Sequence, residues 1–121
     1  LSYTSFAYDE IRLYADTISV GDTAFVSIRI TNTGSVAGDE VVQLYLRDEL
    51  ASVARPVMEL KGFQRIRLQP GESREVRFVI DPGMLTMLDR DLRTVIEPGT
   101  FRVMIGASSQ DIRSRAVLWV R

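Results

Sequence analysis

Apolar and polar side chains alternate with a period of two along most of this chain. Ala24, Val26, Ile28 and Ile30 interleave with Phe25, Ser27, Arg29 and Thr31, the signature of a strand with one buried face. Val76, Phe78 and Ile80 alternate in the same way with Glu75, Arg77 and Val79. Phe101, Val103 and Ile105 alternate with Arg102 and Met104, and Ala116, Leu118 and Val120 with Val117 and Trp119. Val42, Leu44 and Leu46 form a further run, which breaks at a loop expected from Leu50 to Phe63 and resumes through Ile66 and Leu68. Ile11 and Leu13, set between Glu10, Arg12 and Tyr14, predict a first strand.

Between the runs stand residues that turn the chain for physical reasons. Pro70-Gly71 and Pro98-Gly99 suit type II turns, proline fixing φ and glycine supplying a positive φ. Val20-Gly21-Asp22 and Asn32-Thr33-Gly34 are further breaks. Only Pro82 to Leu88 departs from period two, with Met84, Leu85, Met87 and Leu88 at helical spacing. A piece that short is not stable alone, so a single turn plugging one end of the molecule is expected. About seven short strands separated by such turns predict an all-β, antiparallel sandwich. Paired cysteines around a tryptophan are absent, which favours the fibronectin type III-like variant of the immunoglobulin-like sandwich.

Composition narrows the chemistry. The 121 residues read as one domain over positions 1–121. Leu1 in place of an initiator methionine predicts that the domain was excised from a longer protein. With no histidine and no cysteine, serine–histidine and cysteine–histidine catalysis are excluded, as are thiolate metal sites. Lysine and arginine number 15 against 16 acidic residues, with no basic stripe for a phosphate backbone, so nucleic acid is not an expected partner. The longest apolar runs are too short for a bilayer, and a soluble domain is expected.

From Ala37 to Ser73 the chain reads AGDEVVQLYLRDELASVARPVMELKGFQRIRLQPGES. The order DEVVQLYLRD, ASVARP, ELKGFQRI and QPGES closely resembles the fibronectin type III-like domain at the C-terminus of glycoside hydrolase family 3 enzymes. LSYTSF at the start, TNTG at Asn32 and EPGTFRVMIGASSQDIR from Glu97 extend the resemblance to almost the whole chain. It implies a parent of the β-glucosidase or β-xylosidase type, a retaining glycosidase that is cytoplasmic, periplasmic or secreted. The catalytic aspartate and glutamate would then lie on preceding domains, and this piece would be a non-catalytic accessory without a cofactor. Its partners would be those catalytic domains within one polypeptide, with dimer contacts of the parent as a second use.

The residues themselves offer several candidate chemistries. A glycosidase needs two carboxylates about 5–10 Å apart in unlike environments. Asp39-Glu40, Asp48-Glu49 and Asp89/Asp91 all fall at predicted turns or strand ends, where such residues stay solvated. Asp89-Arg90-Asp91 lacks the glycine and bidentate glutamate of a calcium loop. Tyr45, sharing a strand face with Gln43 and Arg47, is a candidate sugar contact, against the plainer reading that it packs in the sandwich. Val53, Ala54, Pro56, Val57 and Met58 are apolar within the expected loop, where polar residues suit a freestanding domain. A docking surface is therefore expected there, with Arg55, Glu59 and Lys61 as its polar rim and Phe63 at its end. Folding back over the chain's own sandwich is the competing account. The resemblance implies that this loop faces the catalytic domains, and that Tyr3 and Phe6 stand at the junction with the preceding domain. The runner-up function is a carbohydrate-binding module that tethers polysaccharide.

Overall fold

In a computed structural model, which describes residues 4–49, 58–88, 91 and 93–121, the alternating runs become strands. In chain order these are β1 (Phe6–Tyr8), β2 (Arg12–Leu13), β3 (Thr17–Ile18), β4 (Ala24–Asn32), β5 (Gly38–Asp48), β6 (Met58–Leu68) and β7 (Ser73–Ile80). A 3-10 turn, Pro82–Leu85, leads to β8 (Met87–Leu88), β9 (Thr94–Val95), β10 (Gly99–Ser108) and β11 (Asp111–Val120).

Two sheets face each other. In the first, β4 pairs with β7 along one edge and with β1 and then β2 along the other. The second is five-stranded in the order β3-β11-β10-β5-β6. Pairing is antiparallel except that β3 runs parallel to β11. The first strand expected around Ile11 and Leu13 is the two-residue β2, and the alternation carries no sign of β1 before it or of β3, which crosses to the other sheet. Counted as one broken edge strand, the three complete the seven strands of a fibronectin type III-like sandwich.

The inward residues of each run are those the periodicity marks. Val26, Ile28, Ile30, Val76 and Ile80 of the first sheet are fully or almost fully buried against Val42, Leu44, Val103, Ile105 and Leu118 of the second. Phe6 belongs to this core as well. It was expected at a junction, but it stands opposite Asn32, on the inward side of β1, so strand parity turns its ring inside.

Other expectations need revision. β6 starts at Met58, so the segment 58–63 is strand and not loop. Pro98-Gly99 is a bend, with Gly99 at φ 156 already opening β10. Pro70-Gly71 does form the expected turn: the Glu72 N–H donates to the Gln69 carbonyl at 2.9 Å, and Gly71 takes φ 79. The helical piece is shorter than its spacing suggested. Asp81 caps it by accepting from the Met84 N–H at 3.0 Å, Pro82 opens it, and Leu85 plugs the core. Thr86 is already extended, and Met87–Leu88 pair with Thr94–Val95.

Candidate functional site: the outward face of β5 and β6

The candidate docking residues that fall within the described part of the chain lie on β6, an edge strand of the five-stranded sheet. Tyr3, Val53, Arg55, Pro56 and Val57 lie outside the described residues. A bulge decides how the rest are aimed. Leu44 stands opposite Gly62 but the next residue, Tyr45, stands opposite Leu60, so Lys61 is one residue in excess on β6. In a regular strand, positions three apart face opposite ways. The extra residue reverses that parity, and Leu60 and Phe63 both emerge on the outward face, opposite Tyr45 and Gln43.

Both are exposed, Phe63 at 66% and Leu60 at 50% of their full surface. Val41, on the same face of β5, is 37% exposed. Met58 and Lys61 are half-buried, and Lys61 pairs with Glu59 at 3.1 Å. At the far end Asp39 receives Arg65 at 2.7 Å and Arg67 at 3.0 Å. Those guanidiniums hold the Asp39 carboxyl below the usual carboxylate range. Two exposed apolar side chains thus flank the bulge, with the Lys61–Glu59 pair at the bulge and the Asp39 ion pairs beyond Val41 at one end.

Across the ladder the same face continues through Tyr45 and Met104 to Val117 and Trp119. Trp119 is 54% exposed, whereas Tyr45 and Met104 are buried although neither belongs to the core between the sheets. Leu60, Arg47, Arg102 and Arg115 flank them in register. The Tyr45 hydroxyl donates to Gln43 Oε1, and the Gln43 amide donates to the Ala107 carbonyl at 3.2 Å. Tyr45 is therefore packed, and presents no open ring to a sugar.

The carboxylates considered as pairs diverge. Asp39 faces outward to its arginines, while Glu40 turns inward and accepts from the Tyr8 hydroxyl at 3.0 Å. Glu49 pairs with Arg102 at 2.8 Å, and Asp91 with Arg93 at 3.3 Å. Asp89 and Arg90 lie outside the described residues. Among the described residues no three potential metal-ligating side chains cluster, and no helix is long and apolar enough to cross a membrane.

Leu60 is the residue that reading the sequence overlooked. A loop leaves the direction of an apolar side chain undetermined, and only the bulge places this one beside Phe63.

Sandwich topology and register define an immunoglobulin-like module, and comparison with known proteins specifies which. Residues 40–109 match the fibronectin type III-like domain family, and the chain belongs to it. A β-xylosidase of Formosa agariphila is 50% identical over 110 residues, which cover 91% of this chain and 15% of that protein. A β-glucosidase of Bacteroides ovatus is 47% identical over 114 residues, with 93% and 15% covered. The solved structure of a β-glucosidase from Erythrobacter marinus superimposes with a TM-score of 0.92 at 40% identity, over 100% of this chain and 16% of that one. The domain is thus a minor part of glycoside hydrolase family 3 relatives, spanning 15% of the length of the two relatives first compared.

Proposed function

We propose that this domain is a non-catalytic brace of a family 3 glycoside hydrolase, held against the catalytic domains of its own polypeptide by the outward face of β5 and β6. The supporting observation is the pair Leu60 and Phe63, at least half exposed and turned to one face by the bulge. Exposed apolar side chains scattered singly are ordinary, but two large ones turned to one face of an edge strand suit a covered surface. Burial of a few hundred Å2 at about 25 cal/mol per Å2 contributes several kcal/mol before the cost of ordering the two surfaces. Within one polypeptide that cost is reduced, because the linker keeps the partners at high effective concentration.

Catalysis resides elsewhere in this reading. Of the candidate carboxylates, Asp39 and Glu49 are engaged with arginines and Glu40 with a tyrosine, and none of the three is set up as an acid/base pair with another. The parent is then a glycosidase acting on β-glucosides or β-xylosides, as the names of its relatives suggest. Serine at both Leu60 and Phe63 in the intact enzyme tests the role. Thermal stability falls if the pair is buried against a neighbouring domain and holds if it faces water.

A further inference from the structure

The other sheet carries a depression that bracing does not use. Across β2, β4 and β7, Arg12 stands opposite Ser27 and Ser27 opposite Arg77. One row to one side, Phe25 stands opposite Val79. Tyr14 lies beside Phe25, its N–H donating to the Phe25 carbonyl at 3.0 Å and its ring 6.2 Å from the Phe25 ring. One row to the other side, Arg29 stands opposite Glu75. Ser27 has the smallest side chain of this block and sits at its centre, so the surface dips there. The dip is an open cleft of about 440 Å3 whose lining includes Arg12, Tyr14, Ser27, Glu75 and Arg77. That is within the ordinary size of small-ligand sites, about 300–1,000 Å3.

Its lining is polar. Ser27, only 3% exposed, forms the floor and turns its hydroxyl into the cleft. Arg77 donates Nε to Glu75 at 2.8 Å, leaving the second carboxylate oxygen as an acceptor. With Arg77 first and Arg29 beside it, Arg12 helps hold the Glu75 carboxyl below its usual range. Tyr14, 61% exposed, lines one side, and its ring is backed by that of Phe25 outside the cleft.

The ligand follows from the alternation of charge. An anion drawn to Arg12 and Arg77 is repelled by Glu75, and a cation meets the reverse. A hydroxylated ring uses all of them: it accepts from Arg12, donates to Glu75, does either with Ser27, and lays a C–H face against Tyr14. We propose that this cleft binds one neutral pyranose unit of an oligosaccharide. It lies on the opposite sheet from Leu60 and Phe63, so it stands or falls separately from the brace.

Calorimetric titration of the 121-residue chain with cellotetraose and with xylotetraose tests it. Saturable binding is expected for at least one, weakened about tenfold in Arg12→Ala and in Tyr14→Ala, the loss of one contact to a charged group or a ring face. Both side chains project from the surface, so melting temperatures stay close to the parent chain's and report that the variants are folded. Absence of saturable binding with either sugar overturns the proposal. So does binding that both variants leave unchanged, or inorganic phosphate binding more tightly than the sugars.

Discussion

Asn32 ends β4 with a carboxamide that is completely buried and saturated at both ends. Its Oδ1 accepts from the Thr4 hydroxyl at 2.8 Å and the Gly34 N–H at 2.9 Å, and its Nδ2 donates to the carbonyls of Val36 at 2.9 Å and Leu68 at 3.0 Å. In the sequence the residue reads only as part of a turn. Asn32→Leu keeps the branching but overfills the site and strands four polar groups, so equilibrium denaturation is expected to show a loss of about 3 kcal/mol. Tyr8 is a second such centre. Burial first, and then Glu40, push its hydroxyl far above the usual tyrosine range, with the Arg113 guanidinium pulling the other way and Asp111 adding to the push. The proton therefore stays on in the folded state while unfolded chains lose it near pH 10. This contribution is fully present below that pH and is lost as pH rises beyond it. Melting temperatures measured from pH 8 to 11 should fall more steeply for the parent chain than for Tyr8→Phe.

Among the elements, the two bulges separate what could be read in the chain from what could not. The inward sets of β4 and β7, and of β10 and β11 over Gly99–Ile105 and Ser114–Val120, follow directly from period two, because the ladder there is uninterrupted and preserves parity. β6 does not, because Lys61 breaks the alternation from Met58 to Phe63 and makes strand look like loop. Phe63, Met58 and Lys61 were still legible as interface candidates by composition, whereas Leu60 was not. Tyr45 was placed on the correct face, but its burial depends on neighbours contributed by β6 and β10, which no single run reveals. The second bulge lies at Gly106 in β10, where the register against β11 shifts. A Cβ there would sit 2.2 Å from the Asp111 carbonyl oxygen and 2.8 Å from the Ile112 Cα, so the backbones must part. Gly106→Ala is expected to cost about 2–3 kcal/mol in the same denaturation assay, the range of overpacked sites.

At the scale of the whole molecule, the sandwich separates two outward faces with different chemistry. The first sheet offers alternating charge around Ser27, and the second offers exposed Leu60 and Phe63 beside outward-facing arginines. Over the whole sequence the charges nearly cancel, with net charge -1. The hydrogen bond from Tyr8 to Glu40 and that from Arg113 to the Phe6 carbonyl, at 3.1 Å, tie β1 to β5 and to β11. The chain's first strand is thereby fastened to both sheets, which suits a module required to transmit rigidity to its neighbours.

The bracing role requires the outward strip on β6 to matter only when something covers it. Melting of the double variant Leu60→Ser/Phe63→Ser, in the 121-residue chain and in the intact parent, measures this directly. In the isolated domain both side chains already face water, so a shift within about 2 °C is expected. In the parent, loss of their burial is expected to lower the melting temperature by about 5 °C. An unchanged parent, or a drop confined to the isolated domain, would contradict it.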